Sequence, residues 1–295
     1  MILTTNECMF IGNQYKTNST LSLFNSLEIK LDGTEENTLK EKGILINGDI
    51  DENSKEIFDI VSKGEKSSRL ILSDQNLIVE KYTYTLGNES VIVENVSGEF
   101  AFNKLFNFSD VNDELSEFLG ISLIKNTNLQ INLTNKELIV LLTLVDIYRQ
   151  DELINYGKFN SNNINLTKSY LISQIDKPLG SSIAKILETQ YDIQLSNNND
   201  IELAIKGLID KKYINETLEL NNDLEQFART FLIPNLTVLL EQYHINENGE
   251  LVVMSGFIIS AGLRNKACFI FSDEGVELLS LSSIEAIEVI NNFLK

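Results

Sequence analysis

The sequence predicts an α+β protein: an antiparallel sheet flanked by helical, winged-helix-like subdomains, organised as a candidate pseudo-twofold internal repeat. Three observations lead there. First, Ile201, Ala204, Ile205, Leu208 and Ile209 recur at helical spacing, and Lys211 and Lys212 follow, where the unpaired carbonyls and dipole of a helix end favour cations. A wing-like strand, Thr217 to Leu220, then leads to a second helix capped by Asn222 or Asp223 and carrying Leu224, Phe227, Ala228 and Phe231. Second, the same grammar runs from Leu39 to Val61. At an offset of 170 residues Ile44 meets Ile214, Ile50 meets Leu220, Ile57 meets Phe227 and Val61 meets Phe231. Third, alternating strands joined by tight turns follow each copy, and two-residue turns join only antiparallel strands.

Along the chain, Met9-Phe10-Ile11 reads as a short strand, and Leu21, Leu23, Phe24 and Leu27 as an apolar face ending at the Asp32-Gly33 turn. Glu35 to Lys42 is a helix stopped by Gly43. Asn47-Gly48, between Ile44-Leu45-Ile46 and Ile50, is a hairpin signal because both residues tolerate positive φ. Asn53 to Lys63 is the next helix. Strands at Leu70-Ile71-Leu72, Leu77 to Leu86, Ser90 to Asn95 and Glu99 to Phe106 form a meander, and Val111 to Leu119 is a helix. Asn128 to Leu133 is a strand. Thr134 and Glu137 make a capping box for the longest helix, Asn135 to Ile154.

The polar stretch Asn155 to Ser169 reads as a connector, Tyr170 to Ile175 as a short element and Ser181 to Thr189 as a helix. Leu236 to Gln242 fits strand or helix. Leu251 to Ala261 is an apolar strand turned by Gly262-Leu263-Arg264-Asn265 into Lys266 to Ser272. Val276 to Leu281 is a third strand and Ile284 to Leu294 the last helix, capped by Ser282-Ser283. The expected organisation is an N-terminal α+β half (1–120), a central helical segment (121–195) and a C-terminal α+β half (196–295), within one globular unit.

Composition excludes several function classes. The chain has 295 residues, 24 basic against 43 acidic, and a net charge of −19, a field that repels nucleic acid and anionic membranes. The longest apolar run, Ile139 to Val145, is far too short to span a bilayer, and the start lacks a signal-peptide pattern, so a cytoplasmic protein is expected. Cys8 and Cys268 form neither a disulfide framework nor a metal motif and read as buried thiols.

Catalytic constellations fail on counts or spacing. The one histidine, His244, reads as a turn residue, and a Ser-His-Asp or Cys-His site would need it. No zinc set, phosphate loop, dinucleotide fingerprint or calcium loop is present, so no cofactor and no metal are expected. Glu216 and Glu219 stand where a DNA-binding wing would carry cations.

The layout resembles the EspG-type chaperones of type VII (ESX) secretion. The points of likeness are the Leu39-x-x-x-Gly43-Ile44 segment, the helix after it, and the closing order of strand Ala267 to Phe271, Asp273-Glu274-Gly275, strand, and helix Ile284 to Leu294. The Asn-rich composition and the absence of Trp depart from the familiar members. The resemblance implies a non-enzymatic cytosolic chaperone or adaptor. Its expected partner is a helical secretion substrate of the WXG100, LXG or PE-PPE kind, with no nucleic acid, no membrane insertion and a monomeric or dimeric state. It also implies binding on an exposed sheet face with its loops: Leu251, Val253, Ser255, Phe257 and Ile259, with Leu263, Arg264, Asn265 and Lys266. Alternation puts the first five on one face, which can equally be core. The alternatives are a winged-helix transcriptional regulator and an enzyme with a carboxylate-only site.

Overall fold

Side-chain caps start most of the helices in the computed structural model, which describes residues 1–15, 19–27, 31, 33–74, 76–105, 109–158, 166–178, 182–195 and 197–295. In chain order the first part comprises β1 (Ile2–Thr4), α1 (Thr5–Gln14), α2 (Leu23–Ser26), α3 (Glu35–Glu41), β2 (Leu45–Ile46), β3 (Asp49–Ile50), α4 (Glu52–Lys63), β4 (Lys66–Asp74), β5 (Ile78–Leu86), β6 (Glu89–Val96), β7 (Glu99–Leu105) and α5 (Ser109–Leu119). The rest comprises β8 (Gln130–Leu133), α6 (Asn135–Lys158), α7 (Lys168–Asp176), α8 (Ile183–Tyr191), α9 (Asn198–Asp210), α10 (Asn222–Thr230), β9 (Leu236–Ile245), β10 (Leu251–Ser260), β11 (Lys266–Ser272), β12 (Gly275–Leu281) and α11 (Ser283–Leu294). Asp32 of the expected turn, Phe106, Ser181 and residues 159–165 of the expected connector lie outside the described residues.

The chain forms two compact units. The first contains Met1–Phe118, Val238–Ser255 and Ile287–Lys295, and the second Leu119–Thr237 and Gly256–Ala286. In the first unit the strands follow the order β1-β7-β6-β5-β4-β9, and β10 begins beside β9. In the second the end of β10 is followed by β11, β12 and β8. The protein is therefore α+β with an antiparallel sheet, as its sequence predicts. The core of the first unit gathers Leu3, Cys8, Ile11, Phe24, Leu39, Phe58, Val61, Val91, Val93 and Phe102, with Phe58 packed edge-on against Phe102. In the second, α6 is buried all round from Leu138 to Val145 and packs against α7, α8, α9 and α10.

One junction recurs. At the start of α1, Thr4 Oγ1 accepts from Glu7 N and Glu7 Oε2 accepts from Thr4 N. Lys42 then binds Glu7 at 2.6 Å and the carbonyl of Ile2 at 3.2 Å. At the start of α6, Thr134 and Glu137 form the same box, and Lys211 binds Glu137 at 2.7 Å and the carbonyl of Asn132 at 3.1 Å. At α11, Ser282 and Glu285 form it again, with Lys125 on Glu285 at 3.1 Å and on the carbonyl of Ser280 at 3.4 Å. Each time an ammonium completes a capping box and ties down the strand leading into it.

The paired helices of the sequence reading also share their hydrogen bonds. Ile44 N donates to the carbonyl of Leu39 and Tyr213 N to that of Leu208, each at 2.9 Å. Gly43 and Lys212 both take positive φ at these helix ends. Leu45 pairs with Ile50 as Ile214 pairs with Leu220. The correspondence is thus one residue shorter before the turn than after it, and Leu45 rather than Ile44 matches Ile214.

Three expectations are corrected. Met9-Phe10-Ile11 lies inside α1, because the Thr4–Glu7 box starts that helix at Thr5, upstream of Met9. Thr217 to Leu220 is no wing strand but a turn with one bridge, Ile214 to Leu220. The Asn215 side chain accepts from Thr217 N and Glu219 N, each at 2.9 Å, and Leu218 takes a φ of 65°. His244 is a residue of β9, not of a turn. In addition, Asn221 rather than Asn222 or Asp223 caps α10, and Asn155 to Lys158 continue α6.

Candidate partner-binding face

In the first unit, strand alternation sorts β5 into two faces. Cross-strand pairs place Arg69 opposite Tyr82, Tyr82 opposite Val93, Glu80 opposite Asn95 and Tyr84 opposite Val91. Directly opposed residues share a face. At one end of this face Tyr84, Val91 and Val93 are core. Toward the other end the face turns polar and opens.

There Arg69 Nε and one terminal nitrogen donate to Glu80 Oε1 at 2.9 and 2.7 Å, and its other terminal nitrogen reaches Glu241 Oε2 at 3.4 Å. Tyr82 Oη donates to Glu80 at 2.7 Å and Asn95 Nδ2 to its second oxygen at 3.0 Å. Burial alone would push the Glu80 carboxyl up, but the bonds from Tyr82, Arg69 and Asn95 together hold it below the usual carboxylate range. Burial and the Glu80 bond push the Tyr82 phenol up to about 12. A hollow of about 640 Å³ lies on this face, with Arg69, Tyr82, Asn95, Tyr243 and Leu251 among its walls. General acid catalysis by a carboxyl needs a raised pKa, and Glu80 is held the other way. The arrangement is a fixed platform of charge and aromatic surface beside apolar side chains.

The sequence-predicted residues divide along β10. Leu251 and Val253 are exposed and Ser255 half-buried in the first unit. In the second unit Phe257 and Ile259 are core. Tyr191 lies against this part, stacked on Phe271 with ring centroids 3.8 Å apart and donating to the carbonyl of Gly256 at 3.1 Å. Leu263 and Arg264 are exposed, Asn265 is half-buried and Lys266 is buried. Of the predicted set, then, the hollow brings Leu251 together with Tyr243, Tyr82 and Arg69, which the sequence reading did not single out. The available signal was the row Glu80, Tyr82, Tyr84 on one side of β5, polar at one end and aromatic at the other.

Both cysteines are free and buried, and burial pushes the Cys8 thiol up and that of Cys268 to about 12, so neither is primed as a nucleophile. Among the described residues no group of three or more His, Cys, Asp or Glu side chains is placed to hold a metal ion, and no helix is long and apolar enough to cross a membrane.

The fold and this face define an α+β protein with a preformed, partly apolar surface. No family model matches the chain, and no curated protein matches it in sequence. Among solved structures it is similar to the Mycobacterium tuberculosis type VII secretion system chaperone EspG5, solved in complex with a PE25-PPE41 dimer. The TM-score is 0.55 at 7% sequence identity, over 100% of this chain and 95% of that one. That likeness is one of fold.

Proposed function

We propose that this protein is a non-enzymatic cytoplasmic chaperone or adaptor that holds a helical protein substrate of a type VII (ESX-like) system. The carrying observation is the open half of the sheet face in the first unit. Exposed Leu251 and Val253 stand there beside a hollow walled by Tyr82, Tyr243 and Arg69. Aromatic and arginine side chains held rigidly beside aliphatic ones are the composition of interface hot spots. An amphipathic helix laid on such a face would bury its apolar stripe on Leu251 and Val253 and meet the phenols with its flanks. The fold likeness to EspG5, a chaperone solved with the PE25-PPE41 dimer, supports the kind of partner.

The test is affinity purification of the tagged protein from its own host. One helical protein in near-equal amount is expected, and Leu251→Asp with Val253→Asp should weaken its binding at least tenfold. Because both side chains are exposed, the melting temperature should stay unchanged. A pure protein with nothing bound, or a complex indifferent to both substitutions, defeats the reading.

A further inference from the structure

A second surface lies within the second unit, on three loops that hold neither Leu251 nor Val253; one of them, 261–266, carries the loop residues that the resemblance implies for partner contact, and the other two enter no reading so far. Segments 119–127, 231–235 and 261–266 are tied to one another by side chains. The Ser283 hydroxyl lies 2.8 Å from the carbonyl of Leu119 and 3.1 Å from that of Leu263, and Ser283 N donates to the carbonyl of Ser122 at 3.0 Å. Asn265 Nδ2 donates to the carbonyl of Thr230 at 3.2 Å, while its Oδ1 accepts from Asn126 at 2.7 Å. Gly262 N donates to Asn235 Oδ1 at 3.1 Å. The loops are therefore fixed rather than loose.

What they present is apolar. Ile121 and Leu123 are each 76% exposed, Leu263 72%, Ile233 66% and Ile124 56%. Several large aliphatic side chains on joined loops are an unusual cost for a protein surface to bear without a partner. The charge is the second observation. These segments carry Lys125, Arg264 and Lys266 and not one carboxylate, in a chain of net charge −19. Glu285 neutralises Lys125. Arg264 has no carboxylate partner among the described residues and points its charge outward from an exposed position. Lys266 is 1% exposed and donates to the carbonyl of Leu263 at 2.9 Å, and among the described residues it has no carboxylate partner. Burial draws its pKa down to about 8, leaving it mostly charged at neutral pH.

We infer that this three-loop patch docks an acidic amphipathic helix of a protein partner, its apolar stripe on Ile121, Leu123 and Leu263 and a carboxylate on Arg264. The positive field of the loops selects a segment whose apolar residues are flanked by Asp or Glu. A second copy docked symmetrically would set Arg264 against Arg264, a like-charge contact that an acidic segment avoids.

A photo-crosslinking residue placed at Leu123 or Leu263 in the full chain, in cells of the organism that encodes it, tests this. Mass spectrometry should map the adduct to one partner segment with apolar residues at helical spacing between carboxylates. Arg264→Glu should reduce its yield at least fivefold without changing the melting temperature. The same residue at Leu203, exposed on α9, should give no such adduct. Flotation with phosphatidylglycerol vesicles should leave the protein unbound. The inference falls if the adduct joins two copies of this chain, maps to a neutral or basic segment, survives Arg264→Glu or never forms. Arg264-dependent flotation would assign the patch to lipid and overturn it too. None of these readouts involves Leu251 or Val253, so the fate of the chaperone reading is decided separately.

Discussion

Three lysines do the same job at three strand-to-helix junctions. Glu7 and Glu137 are almost fully buried, while Lys42 and Lys211 reach them from partly exposed positions. Removing the lysine leaves a carboxylate in a shielded cap, which costs more than the pair is worth against neutral partners. Lys211→Met should therefore destabilise by about 1–3 kcal/mol in urea unfolding. Lys211→Met with Glu137→Gln should recover part of that loss; a double variant less stable than the sum of the singles would contradict the argument. The pH dependence follows from Glu7 and Glu285. For Glu7, burial pushes up but the bonds from Lys42, Thr4 N and Thr38 outweigh it. For Glu285, the Ser282 N–H leads in holding the carboxyl low, ahead of the opposing burial. Both folded values lie below the unfolded 4.5, so their contribution is complete above about pH 4.5 and is lost as pH falls through the folded values. The Glu7→Gln/Glu285→Gln variant should accordingly lose less stability between pH 5 and pH 3 than the parent. An identical acid slope in urea midpoints would show that these carboxyls carry no such linkage.

At the scale of the element, turn and cap chemistry decided what could be read. Asn47-Gly48 was legible because both residues take positive φ, 55° and 93°, in the two-residue turn between β2 and β3. The Thr134–Glu137 box is legible at α6, whereas the identical Thr4–Glu7 box is masked by the apolar run Met9-Phe10-Ile11, whose residues suit a strand equally well. The turn after α9 misled for another reason: Thr217 to Leu220 has strand-like residues, but the Asn215 side chain satisfies the backbone that a strand would pair. Asn215→Ala should cost about 1–2 kcal/mol by thermal unfolding. Gly207 gives a sharper test. It sits in mid-α9, where Gly→Ala ordinarily stabilises a helix by up to about 1 kcal/mol. Here a Cβ would fall on the Glu137 carboxylate. Gly207→Ala should instead destabilise by about 1–3 kcal/mol, comparable to deleting Lys211, and a raised melting temperature would refute the junction's role. The burial of β10 was legible only by half. Leu251 to Ile259 alternate uniformly, yet Phe257 and Ile259 are covered and Leu251 and Val253 are not. The cover near Gly256 comes from Tyr191 on α8, and nothing in the strand's own residues encodes that.

At the scale of the whole molecule, the α+β class with its antiparallel sheet was legible, because it is carried by many residues and survives local misreading. The same scale separates a helix-turn-helix used for packing from one used on DNA. A reader of DNA needs free cations on its recognition helix and wing. Here the α9 stretch places Asp200, Glu202 and Asp210 beside Lys206, Lys211 and Lys212. Lys211 is spent on Glu137 and the carbonyl of Asn132. The turn that would be the wing carries Glu216 and Glu219, and the α10 cation, Arg229, pairs with Glu225 at 2.8 Å and Glu152 at 3.4 Å. With 24 cations against 43 anions, the overall field opposes approach to a duplex. Fluorescence anisotropy with labelled genomic fragments should therefore show no binding even at about 20 mM salt, where phosphate contacts are strongest. Binding that weakens steeply with added salt would instead mean that cations outside this motif form a duplex-binding surface, and the packing role assigned to α9 and α10 would have to be shared with recognition.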